Sequence, residues 1–136
     1  MNIGIVGCGN ISETYFNSQK IFKNLNIVAC SDIIKEISDN KANEYNIRSL
    51  NVDDLIKSDE IDIILNLTIP SAHKEIIIKS LENGKHCFTE KPLSINFHDG
   101  LEIKKIAEKN RLFVGSAPDT FLGASGQKAR KLIENG

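Results

Sequence analysis

The sequence predicts an α/β domain whose parallel sheet is wound on both faces by helices. Two observations carry that expectation. Short runs rich in β-branched residues alternate with stretches of helical period, through connections of only a few residues. The clearest of these runs, Ile61 to Leu67, is apolar enough to be covered on both faces, as parallel strands are. At 136 residues, with no internal repeat and no Pro/Gly/Ser-rich linker, the chain reads as one domain from 1 to 136.

Taken in order, Asn2 to Val6 reads as a buried strand, followed at once by turn residues Gly7 to Asn10. From Ile11 a helix presents Ile11, Tyr15 and Phe22 as its apolar face, with Ser18 and Gln19 between. Asn26 to Ser31 is a second strand with Asp32 at its carboxyl end. A polar helix covers Lys35 to Tyr45, an extended piece lies near Arg48 to Leu50, and Val52 to Lys57 is a brief helix. After the Ile61 to Leu67 strand, a helix runs from about Ser71 to Glu82 and stops at Asn83-Gly84. Lys85 to Thr89 is a strand, Ser94 is a candidate cap for a helix reaching Lys109, and Leu112 to Ser116 is the last strand. Phe121, Leu122, Ser125, Ala129, Leu132 and Ile133 form the apolar face of a final helix.

Composition excludes several functions. Lys plus Arg is 17 and Asp plus Glu is 18, so the formal charge is -1 and the basic excess of a nucleic-acid binder is absent. The longest apolar run, Ile61 to Ile69, is interrupted by Asp62, Asn66 and Thr68 and is too short to span a bilayer. The N-terminus has no basic n-region before an apolar stretch, which points to a cytoplasmic protein rather than an exported one. Cys8, Cys30 and Cys87 show no CxxC spacing and read as small buried hydrophobes. His73, His86 and His98 are scattered as well, so no metal is expected.

Gly7-Cys8-Gly9-Asn10-Ile11-Ser12 falls where the first strand gives way to the first helix. Glycine suits such a loop because the turn is tight and the backbone must approach a pyrophosphate closely. The third small position of the G-x-G-x-x-G pattern is Ser12, a mild departure. Asp32, 23 residues beyond Gly9, stands where a carboxylate would accept hydrogen bonds from the adenosine ribose. A carboxylate there repels a 2′-phosphate, Ile33 and Ile34 offer no arginine to offset it, and Lys35 is the nearest cation. NAD is therefore favoured over NADP.

Thr68-Ile69-Pro70, then His73, then Glu90-Lys91-Pro92 at the end of the next strand, resemble the Gfo/Idh/MocA family of oxidoreductases. The resemblance runs from Met1 to Gly136, and Ala117 to Gly123 looks like a segment of one branch of that family. It implies that Thr68, Ile69 and Pro70 lie along the nicotinamide-side ribose and phosphates. It implies too that Glu90 and Lys91 reach the nicotinamide ribose and the substrate pocket, with Lys91 catalytic and the Lys91-Pro92 bond cis. Gly7, Gly9, Asn10, Ile11 and Asp32 complete the expected cofactor set. His73, beside the site at the start of its helix, belongs to that cofactor set too, although it shares a helical face with Ile76 and Ile77 and a packed structural histidine is nearly as good a reading. Asp119 and Thr120 could face substrate, although a loop aspartate before a helix is first of all a cap.

By the same resemblance, a C-terminal α/β domain beyond Gly136 would cover the substrate, supply an acid/base partner and build a homo-oligomer interface. The expected reaction is hydride transfer between a nicotinamide and a hydroxyl-bearing carbon of a sugar, inositol or related polyol. An NAD-dependent glycosidase of the same family and a non-catalytic dinucleotide sensor are the alternatives.

Overall fold

Among the described residues, helices α1 (Ser12–Ser18), α2 (Lys35–Tyr45), α3 (Val52–Lys57), α4 (Pro70–Glu82), α5 (Phe97–Asn110) and α6 (Ala124–Asn135) alternate along the chain with six strands. The strands are β1 (Asn2–Val6), β2 (Asn26–Ser31), β3 (Arg48–Ser49), β4 (Ile63–Asn66), β5 (His86–Thr89) and β6 (Val114–Ser116). This is a computed structural model, and it describes residues 1–118 and 120–136, with Thr120 through its backbone alone. All strand pairings are parallel, and the order across the sheet is β3-β2-β1-β4-β5-β6. The order reverses between β1 and β4, which makes the carboxyl ends of those strands the switch point of a Rossmann-type sheet.

Burial follows the pleat. One face of the sheet packs Val6, Ala29 and Ile64 against Leu55 and Ile56 of α3, Ile77 and Leu81 of α4 and Ile103 of α5. The other packs Ile5, Cys30 and Leu65 against Phe16 of α1 and Ala42 of α2. Each fully buried Ile, Leu or Phe contributes about 1.5–3 kcal/mol relative to exposure, so these two clusters are what hold the layers together. The three cysteines are free thiols, all buried, as expected of small hydrophobes.

Helix ends obey local chemistry. Pro70 occupies the first turn of α4, where its missing N–H costs nothing. Gly84 takes a φ of +74° just past the helix end, so the Asn83-Gly84 stop is observed. At α5 the cap is Asn96, whose side chain accepts from the Asp99 N–H, and not Ser94. Ser94 Oγ is instead turned back to donate to the Asn96 carbonyl at 2.8 Å.

Three other expectations are corrected. The first helix ends at Ser18, and it buries Ser12 and Phe16 while Ile11 and Phe22 stay exposed. The predicted face is offset because Phe16, stacked on Tyr45 at 4.5 Å, lies one position beyond Tyr15. The β4 ladder is shorter than the apolar run, since the Ile61 N–H closes a turn onto Ser58. Phe121 and Leu122 lie in a 3-10 turn, and α6 starts after them with no residue buried.

Candidate functional site

The carboxyl ends of the strands form a continuous row. Beyond the strands the ladder continues by single bonds: Gly7 N–H to Ser31 O at 2.9 Å, Leu67 N–H to Val6 O at 2.8 Å, Glu90 N–H to Asn66 O at 3.0 Å, and Ala117 N–H to Thr89 O at 3.0 Å. Just past these ends come Asp32, Gly7, Leu67 with Thr68, and Glu90, in spatial order. Asp32 and Glu90 are separated by three inter-strand gaps, about 14 Å at ~4.8 Å per gap.

Gly7 turns the chain out of β1 with φ +97°, and a Cβ there would lie 2.7 Å from the Leu67 backbone. Only glycine satisfies both conditions. Gly9 differs: a Cβ on it would meet nothing within 4 Å, so its bare Cα faces open space. Among the described residues, the backbone N–H groups of Gly9, Asn10 and Ile11 have no partner within the chain. The loop is braced by Ser12, whose hydroxyl donates to the Gly9 carbonyl at 2.6 Å. That small, buried serine does the close-packing job of the third position in the glycine pattern.

Asp32 is bound to the loop it was expected to serve. Its Oδ2 accepts from the Cys8 N–H at 2.8 Å and its Oδ1 from the Ile34 N–H at 2.9 Å. Each carboxylate oxygen keeps a second lone-pair direction for a further donor. Behind it, the Cys8 thiol is held well above its usual range by the hydrogen bond it shares with Cys30 and by burial. Lys35, the nearest cation along the sequence, pairs with Asp39 at 2.7 Å. Gly7, Gly9, Asp32, Ile33, Thr68 and Ile69 line a cleft of ≈ 410 Å³, floored by Val6, Leu67 and Ile76. A larger groove of ≈ 800 Å³ runs along α5 and β6, but neither the glycine loop nor Asp32 borders it.

On the other side of the switch point, Asn66 organises the backbone. Its Oδ1 accepts from the Thr68 hydroxyl at 2.7 Å and the Thr68 N–H at 3.2 Å, and its carbonyl accepts from the Thr89 hydroxyl at 3.3 Å. His73 is fully buried, with Nδ1 2.6 Å from the Pro92 carbonyl oxygen and Nε2 3.0 Å from that of Thr68. Its ring therefore packs beneath the row of strand ends, with both nitrogens facing backbone carbonyls. The Lys91-Pro92 bond is cis, as the motif implied. Glu90 is half-buried and Lys91 exposed. Ile69 and Pro70 are exposed at the start of α4. Asp119 and the Thr120 side chain fall outside the described residues.

Asn66, Tyr15 and Ile33 line or brace the site without being assigned to it by sequence reasoning. Asn66 carried a usable signal, because a polar residue within a strand covered on both faces must find hydrogen-bond partners. The buried hydroxyls of Ser31 and Ser116, both at carboxyl strand ends, have no partner among the described residues.

An open glycine Cα, three unpaired loop N–H groups and an acidic side chain across a cleft fit a dinucleotide, and they define a nucleotide-binding domain of Rossmann type. The family model described as an oxidoreductase family with an NAD-binding Rossmann fold, Gfo/Idh/MocA, matches residues 1–117, and the chain belongs to that family. It is 30% identical to 2,7-anhydro-N-acetylneuraminate hydratase of Escherichia coli over 100% of the chain and 36% of that protein. It is 24% identical to myo-inositol 2-dehydrogenase of Thermotoga maritima over 100% of the chain and 41% of that protein. The biliverdin reductase of Synechocystis, solved with biliverdin and NADP+, superposes with a TM-score of 0.89 at 23% identity, over 98% of the chain and 42% of its own. The chain thus spans well under half the length of these relatives.

Proposed function

We propose that this chain is the NAD-binding part of an oxidoreductase that moves hydride between nicotinamide and a hydroxyl-bearing carbon of a sugar, inositol or related polyol. The observation that carries the cofactor half is the 2.8 Å bond from the Cys8 N–H to Asp32 Oδ2. It holds a ribose-type carboxylate against the loop whose bare Gly9 Cα and free N–H groups suit a pyrophosphate. Gly7 sets the turn, Gly9, Asn10 and Ile11 offer backbone to the phosphates, and Asp32 takes the adenosine ribose hydroxyls. Thr68, Ile69 and Pro70 border the nicotinamide side, and Glu90 accepts from its ribose. His73 acts from below, between the Thr68 and Pro92 carbonyls.

Lys91 is the proposed catalytic residue. From the carboxyl edge of the sheet its amine would hold the substrate oxygen and pass a proton to or from it. The nicotinamide, when bound, supplies the hydride chemistry itself. A second domain of the full-length protein would close over the substrate and provide the acid/base partner. The Thermotoga relative, a myo-inositol dehydrogenase by name, supports the polyol class.

Calorimetric titration with NADH and NADPH tests the cofactor reading. NADH is expected to bind more tightly, because Asp32 repels a 2′-phosphate and Lys35 is committed to Asp39. Asp32→Ala is expected to abolish that preference. Tighter binding of NADPH by the unaltered chain would sink the NAD assignment. The E. coli relative, a hydratase by name, favours a second reading in which the reaction carries no net redox change. Full-length protein turning over its substrate without accumulating NADH would establish that reading over the first.

A further inference from the structure

We propose that Tyr15 is a positioning residue for Glu90, an assignment that rests on the reading of Glu90 as the partner of the nicotinamide-side ribose. The Tyr15 hydroxyl donates to Glu90 Oε1 at 2.6 Å, joining α1 to the end of β5 across 75 positions of sequence. The other carboxylate oxygen, Oε2, accepts from the Lys91 N–H at 3.2 Å. Both oxygens of Glu90 are therefore held, and the carboxylate plane is set before any ligand arrives.

The geometry separates the two halves of Tyr15. Its half-buried ring packs against the apolar cluster beneath α1 and, with Ile63, Leu65 and Phe88, lines an apolar cavity of ≈ 340 Å³. A phenylalanine would fill that space equally well. The hydroxyl alone reaches the row of strand ends, and there it makes a short bond to a charged acceptor, the stronger kind of hydrogen bond. The hydroxyl's bond to Oε1 restrains the carboxylate, so an otherwise flexible glutamate loses less freedom when it takes a ribose hydroxyl. The same carboxylate keeps the backbone entering Lys91 in a defined direction through the Oε2 contact.

The test is calorimetric titration of the chain with NADH and with ADP, which lacks the nicotinamide-side ribose. Tyr15→Phe is expected to weaken NADH binding roughly fivefold, leave ADP binding unchanged and lower the melting temperature by no more than the loss of one hydrogen bond does. Glu90→Ala is expected to weaken NADH comparably, and the double variant to bind NADH no more weakly than Glu90→Ala alone. That non-additivity is the signature of action through Glu90. Unchanged NADH binding in Tyr15→Phe alongside a loss in Glu90→Ala overturns the positioning role and leaves the Glu90 reading intact. Equal losses for NADH and ADP, or additive losses in the double variant, overturn it likewise. If Glu90→Ala itself binds NADH normally, the Glu90 assignment fails and the role of Tyr15 fails with it.

Discussion

The imidazole of His73 sits between two carbonyl oxygens, 2.6 Å from that of Pro92 and 3.0 Å from that of Thr68. One ring thereby links the loop after β4 to the loop after β5, the two segments that would border the nicotinamide half of the cofactor. Both partners are acceptors, so a ring nitrogen bonds its carbonyl only where it carries a proton. His73→Leu fills the space but leaves a buried carbonyl unpaired. We expect it to cost about 1–3 kcal/mol in urea unfolding and to weaken NADH binding. Wild-type stability in this variant would show that the ring is mere filling.

The two glycines of the loop should fail in opposite ways. At Gly7 a side chain meets the Leu67 backbone at 2.7 Å and a φ of +97°, so Gly7→Ala is expected to destabilise the fold by about 2–3 kcal/mol or more. At Gly9 a Cβ enters open space, so Gly9→Ala is expected to melt close to wild type while losing at least about tenfold in NADH affinity. Thermal melts paired with titration separate the two. A Gly9→Ala chain that binds normally would place the pyrophosphate elsewhere.

Phe16 is 1% exposed and Phe22 is 56% exposed, although the helical pattern singles out Phe22. Phe16→Ala is expected to cost about 3–5 kcal/mol, from lost burial plus a cavity against Tyr45. Phe22→Ala is expected to stay within about 0.5 kcal/mol. Denaturant midpoints compare the two directly.

Burial on β5 pushes the Cys87 thiol up to about 12 from an ordinary 9.0. A group whose folded pKa is raised stabilises fully below its unfolded value and loses that stabilisation as pH climbs through the folded one. The stability of the chain should therefore fall between pH 9 and about 12, as unfolding releases a proton that the fold retains. Cys87→Ala is expected to lower stability at neutral pH yet flatten that alkaline slope. An unchanged slope would mean that other groups account for the alkaline loss.

Much of this site is legible in short stretches of sequence. Gly7 and Gly9 after a strand, with Asp32 at the end of the next one, specify a loop and a carboxylate by local rules alone. The cis Lys91-Pro92 bond is expected only through the family resemblance of the Glu90-Lys91-Pro92 motif. His73 is ambiguous at that level, because a histidine on an apolar helical face looks the same whether its ring meets a ligand or a carbonyl. Tyr15 reads as a core residue, and its ring belongs to the core; its hydroxyl does not.

The alternation of strands and helices, the parallel sheet and the cofactor loop are all written in the order of residues, because each depends on periodicity or on backbone freedom over a short span. Packing in three dimensions makes Phe16 and not Phe22 core, sets Asn66 and His73 to brace two loops, and brings Tyr15 to Glu90. Those are contacts between residues far apart in the chain. They are set by how helices settle on the sheet and by which buried polar groups must find one another, and no local pattern encodes that pairing.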